Sequence, residues 1–340
     1  MRPGRRRTAD DWKRLFERIE RAGIDAVIPE VYNGSTALFE HPNPLVPSRA
    51  AVLEEMIPLA HAAGLQVHAW MWTVPCTNRE VIAQHGDWYA VNGLGEPAHT
   101  KPAYVNYYKF LCPRRPEARE FIAGNVEALA NIPALDGVHL DYVRLPDVIL
   151  AKGLWAKYDI VQDREYPQYD YCYCEYCREQ FQQQTGIDPL RDLPDPAAHA
   201  AWRQFRYDSV SGLVRDVLAP RARAQGKAIS AAVFPNWQYV RQAWHTWGLD
   251  AYLPMLYHSF YEEGIPWIGD QTRAAIDRLT SPSAIYPGLF VPSLTPEELA
   301  KAIEVARGSG GRGIALFAEE SLRPGHWQTL TDTLRRSPSE

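Results

Sequence analysis

The side chains able to do acid–base chemistry stand at the ends of apolar runs. Gly137-Val138-His139-Leu140-Asp141 closes on a carboxylate and is followed by Tyr142-Val143-Arg144-Leu145-Pro146. Pro146 forbids simple continuation of strand or helix, and the period of two places His139 on the face of Asp141. A structural ion pair between Asp141 and Arg144 is the non-functional alternative. Glu30 ends an earlier run, Ile24 to Glu30, while Glu319 and Glu320 follow the last run, which ends at Phe317. Alternation sets Glu319 on the side of Phe317 and Ala315, with Glu320 opposite. Asp250 begins its run and is excluded. Asp141 with Glu319 or Glu30 supplies the two carboxyl groups that paired acid and base chemistry needs.

Aromatic and polar residues gather at other run ends. His68, Trp70 and Trp72 share a face, Asn236 and Trp237 follow Ile229 to Phe234, and Tyr257 and His258 close another run. The chain holds 11 Trp and 18 Tyr, enough for several flat faces beside hydrogen-bonding groups, the mixture of small-molecule sites. His139, Arg144 and Glu320 join this binding set, although core packing explains any single buried Trp equally well. Cys172, Cys174 and Cys177 have the spacing of a zinc knuckle, with a His, Cys112 or Cys76 as the fourth ligand. They are candidate ligands for a structural zinc. A catalytic metal lacks the clustered His–carboxylate pattern, and no G-x-S-x-G motif supports a serine nucleophile.

The elements that position these residues alternate. Asp10 to Ala22 has Trp12, Leu15, Phe16 and Ile19 at amphipathic spacing, then Gly23 and the run Ile24 to Glu30. Ala50 to Ala63 precedes Leu65 to Met71, and Pro116 to Asn131 precedes Gly137 to Asp141. The rhythm continues through 202–234, 251–257, 272–290 and 296–317. Seven helix-fed strands imply parallel βα units. A doubly wound sheet lacks its glycine-rich loop here, so the expected fold is a (β/α)8 TIM-like barrel. Because the chain opens on a helix, its first strand is missing or improvised from residues 1–7. Long strand-to-helix loops (33–48, 73–115, 144–200) should wall a cleft on the face where barrels build sites. The expected organisation is one domain over 1–340, with an excursion at 147–200 carrying the Cys cluster.

Net charge is -5, without the basic footprint of a nucleic-acid partner, and no apolar stretch is long enough for a membrane span. Arg5-Arg6-Arg7 is not followed by an apolar export segment. The expected location is cytoplasmic as the chain stands, or exported if the natural start lies upstream of Met1.

Several segments, in order, resemble the bacterial glycoside-hydrolase-like family 10 proteins. They are Gly23-Ile24-Asp25-Ala26-Val27 leading to Asn33–Phe39, Gly64–Trp70, Trp88–Asn92, Leu111-Cys112-Pro113 with Pro116–Arg119, Gly137–Pro146, Asp250–Pro254 and Phe317–Leu322. The resemblance spans Ala22 to Leu322 and implies a carbohydrate-active TIM barrel. It implies hydrolysis of an oligosaccharide or polysaccharide with no required cofactor. Two alternatives stand beside it: a non-catalytic carbohydrate-binding barrel and a zinc-dependent hydrolase centred on the Cys cluster. The family departs from this chain at the amino terminus, where relatives carry a strand before the position of Thr8.

Overall fold

A computed structural model describes residues 1–3 and 7–335. Helices start and stop where local chemistry dictates. Thr8 caps Ala9–Arg21 through a capping box with Asp11, and Trp12, Phe16 and Ile19 form its buried stripe. Thr295 and Glu298 repeat that device ahead of Pro296–Gly308. Gly23 and Gly64, at φ +80° and +79°, take the left-handed turn that ends a helix and delivers the chain to a strand.

The described residues contain nine short strands: β1 Ala26–Val27, β2 Glu30–Tyr32, β3 Gln66–Trp72, β4 Gly137–Asp141, β5 Ala228–Val233, β6 Ala251–Pro254, β7 Ala284–Ile285, β8 Gly288–Phe290 and β9 Ala315–Phe317. All pairings between them are parallel. The order runs β1 and β2 beside β3, then β4, β5, β6 and β7. A parallel bridge from Met255 to Gly288 carries the curl on to β8 and β9. The fold is an α/β TIM-type barrel, as the alternation predicts. Two expected strands, at 24–30 and 284–290, are each broken in two by a proline, Pro29 and Pro287, which has no N–H to give a ladder.

Of the segment expected to improvise a first strand, residues 4–6 lie outside the described residues and residues 1–3 are not part of a strand. Met1 donates its nitrogen to Ile28 O at 3.0 Å and accepts from Glu30 N at 2.9 Å, so the start of the chain lies along the β1–β2 edge. Among the described residues no backbone bond joins Met1–Pro3 to β9. Side chains span that seam: the Arg2 guanidinium lies 5.3 Å from the Phe317 ring and 5.7 Å from the Trp70 ring. Several interior positions are small, including Ser230, Ala232, Ala251, Ala284 and Ala315. A cavity of about 1000 Å³ therefore runs from the strand ends into the barrel, where such barrels usually hold layers of bulky side chains.

Candidate active site

Alternation along β4 separates its two faces. Val138 and Leu140 are fully buried beneath the helices, while His139 and Asp141 face the cavity. Asp141 is half-buried at the carboxyl end of the strand. Its Oδ2 accepts the Trp70 indole N–H at 3.0 Å and its Oδ1 accepts Tyr142 N at 2.7 Å. Tyr142 adopts φ 52°, a left-handed conformation costly for a bulky residue, and its ring stands beside Trp72. Enclosure by these aromatic rings desolvates Asp141 and pushes its pKa up to about 6. The Tyr142 amide, Arg144 and Trp70 oppose that rise, and the charge of Glu30 adds to it.

Arg144 does not pair with Asp141. Its guanidinium is buried, donating to Asp147 Oδ2 at 2.9 Å, to Leu145 O at 2.9 Å and to the Tyr108 hydroxyl at 3.1 Å. Tyr108, Phe110, Tyr142 and Phe234 surround it. The alternative ion pair is thus replaced by an i, i+3 pair, and among the described residues no cation bonds Asp141. Arg144 reaches the cavity wall, but its donors are engaged by protein groups.

The two candidate partners differ in placement. Glu319 lines the cavity on the turn after β9 and accepts from Arg7 at 3.2 Å. Glu30 is outside the lining, where Trp72 Nε1 donates to it at 3.2 Å and Arg2 at 3.4 Å. Successive inward residues of β3 therefore hold the two carboxylates, Trp70 binding Asp141 and Trp72 binding Glu30.

Beneath this layer His139 is buried and shares a 2.8 Å hydrogen bond with Ser230 Oγ. Burial holds its pKa down at about 3, so the ring is neutral. His68, also lowered by burial, fits only because residue 137 is glycine: a Cβ there would lie 2.4 Å from His68 Nδ1. Tyr257 lines the opposite wall, its ring 6.0 Å from that of Phe317 and nearly parallel to it. Asn236 also lines the cavity and accepts from Tyr261.

Four residues expected in the binding set are absent from the cavity lining: Trp72, which holds Glu30, and three more that lie elsewhere. Trp237 packs against Tyr207 and His245, His258 is half-buried at the start of the short helix His258–Tyr261, and Glu320 is exposed; none lines the cavity. Each follows a strand end by a residue or more, where a tight helical turn replaces the period of two. Tyr104, Tyr107 and Tyr108 form a wall that strand-end reasoning missed. Three tyrosines within five residues of a long loop were the available signal. Asp147, three residues after Arg144, carried the other.

The Cys cluster gains its fourth member. Sγ atoms of Cys112, Cys172, Cys174 and Cys177 lie within 4.8 Å of one another, all buried. Cys76 sits apart, under Tyr89. None of the five lines the cavity.

A barrel of parallel strands with an acidic, aromatic cavity at the carboxyl ends defines the class. No protein-family model matches the chain, and no curated protein matches its sequence. Solved structures do. The PgaB (BpsB) glycoside hydrolase domain from Bordetella bronchiseptica superimposes with a TM-score of 0.70 at 15% identity, over 96% of this chain and 94% of that one. The catalytic domain of β-amylase from Paenibacillus polymyxa gives 0.69 at 10% identity, over 98% and 96%. A β-galactosidase from the haloarchaeon Halorubrum lacusprofundi gives 0.68 at 14% identity, over 98% of this chain and 57% of that one. These structural neighbours are glycoside hydrolases. At such identities the likeness establishes the barrel fold and leaves function to the site.

Proposed function

We propose that the protein is a glycoside hydrolase acting on an oligosaccharide or polysaccharide at the carboxyl-end face of its barrel. The observation that carries this is Asp141: a strand-end carboxyl, free of any ion pair among the described residues, with its pKa raised into the range of a general acid. In this reading Asp141 protonates the leaving glycosidic oxygen as the C–O bond breaks. Glu319 is its partner because it lines the same cavity. It either activates water or attacks the anomeric carbon, according to whether the carboxyl groups are spaced for inversion or retention. Glu30 opposes ionisation of Asp141 by charge and so keeps the acid loaded.

Trp70, Tyr142 and Tyr257 offer apolar faces for sugar rings, and His68, His139 and Asn236 supply polar edges. The chemistry requires no cofactor. A zinc on the four cysteines would be structural, since four buried protein ligands leave no open position for a substrate. A purely carbohydrate-binding barrel loses its main support because Arg144 is paired with Asp147. The test is product release across a panel of polysaccharides by wild type, Glu319→Gln and Glu30→Gln. Glu319→Gln should lose activity by roughly 10²–10⁴-fold. Equal activity in Glu319→Gln and wild type would remove Glu319 from the mechanism.

A further inference from the structure

We propose that Cys112, Cys172, Cys174 and Cys177 form a zinc clamp that fixes the tyrosine wall of the cleft, so that metal loss loosens the wall before the barrel. The first part rests on the cluster alone. Zn–S bonds of about 2.3 Å in a tetrahedron place sulfurs about 3.8 Å apart. Here Cys112 Sγ lies 3.4 Å from Cys177 Sγ and 3.6 Å from Cys174 Sγ. Those separations are far beyond a disulfide bond of about 2.05 Å, and all five cysteines are free. Four converging thiols shielded from solvent, with one another as near polar partners, match a closed structural zinc site. Cys174 and Cys177 also sit at the start of the helix Glu175–Thr185, which fixes their spacing.

The second part rests on what the four residues join. Cys112 ends the loop that bears Tyr104, Tyr107 and Tyr108. The other three lie midway along the excursion 147–200, after its first stretch from Asp147. Between these roots the loops hold one another and the cavity wall. Tyr104 stacks on Tyr169 at 4.5 Å and 7°, donates to Asp147 O at 2.7 Å and accepts from Gln162 at 2.8 Å. Tyr173 N bonds to Val91 O at 2.7 Å. None of these contacts belongs to the barrel ladder, so beside the buried pairs of Asp170 with Arg206 and Arg241 the shared Cys root is what registers the two loops. The clamp rests on the proposed cleft only for its consequence; the metal and the loop mobility can be measured without any substrate.

The experiment is zinc analysis of the purified full chain, followed by hydrogen-exchange mass spectrometry. Wild type, wild type stripped with a mercurial and chelator, and Cys112→Ser are compared. One zinc per chain is expected in wild type, and less than a tenth of that in Cys112→Ser. Amides in 89–111 and 147–173 should exchange at least tenfold faster without zinc, while β3, β4 and β5 keep their protection. Restoring zinc chloride to the stripped wild type should restore the slow exchange. Metal-free wild type with all five thiols titratable would overturn the site. Bound zinc whose removal changes no loop amide, or unfolds the barrel strands with the loops, would overturn the clamp. These outcomes stand whether or not a glycan is ever cleaved.

Discussion

Trp70 donates its indole N–H to Asp141 at 3.0 Å, although its register partner on β4 is His139. The ring reaches one rung outward along the barrel, orienting the carboxyl while covering it. Those two effects oppose each other: the hydrogen bond favours the ionised form, and the desolvation favours the acid. Desolvation wins, which is what a general acid requires.

Trp70→Phe separates the two. The benzyl ring keeps most of the cover and removes the donor, so the Asp141 pKa should rise further, by roughly half a unit to one unit. The alkaline limb of the pH–rate profile, expected near 6 in wild type from Asp141, should move up by that amount. An unmoved limb in a folded variant would show that the indole N–H does not act on Asp141.

Glu30→Gln moves the limb the other way. Removing the like charge eases ionisation of Asp141 and lowers its pKa. The variant should keep turnover within about tenfold at pH 5 and lose it earlier as pH rises. Loss of all turnover at every pH would instead give Glu30 the partner role assigned to Glu319.

The raised pKa also has a stability signature. A carboxyl with a folded pKa near 6 and an ordinary value of 3.8 stabilises the fold while protonated, and that contribution is lost as pH rises through the folded value. Asp141→Asn should therefore be more stable than wild type at pH 7, by roughly 1–3 kcal/mol. The advantage should vanish below about pH 4. His139 has the opposite sign. Neutral in the fold down to about 3, it makes stability fall as pH drops below its ordinary 6.5. Urea titrations at pH 4, 5.5 and 7 check both; His139→Gln should flatten the acidic slope.

Gly137→Ala tests the barrel floor. The added methyl would meet His68 Nδ1 at 2.4 Å and Ala228 O at 2.8 Å. One neighbour is backbone of β5, so the strand pair must shift, at a cost of about 1–3 kcal/mol. Thermal unfolding measures it, and an unchanged midpoint would mean that His68 swings aside freely.

Sequence periodicity found the barrel because helix and strand periods are local, and several helix-to-strand junctions carry their own glycine, as at Gly23, Gly64 and Gly226. It placed Asp141, His139 and Trp70 correctly on the inner face because β4 and β3 are regular. It misplaced Trp237, His258 and Glu320 because alternation ends where a short helix begins, and nothing in the spacing marks that residue. The pairing of Arg144 with Asp147 and the arrival of Cys112 at the Cys cluster are loop geometry. The latter closes 60 residues or more of chain, since Cys112 and Cys172 are 60 positions apart. No local pattern encodes it.

The most direct measurement is reducing-end release from a polysaccharide panel at pH 5, with wild type and Asp141→Asn side by side. Both proteins are first shown to be folded by circular dichroism. Product from wild type with at least a hundredfold less from Asp141→Asn is expected for loss of a general acid. Equal product from both proteins would contradict Asp141 as the acid. Silence from both, with glycan binding intact, would contradict the hydrolase itself.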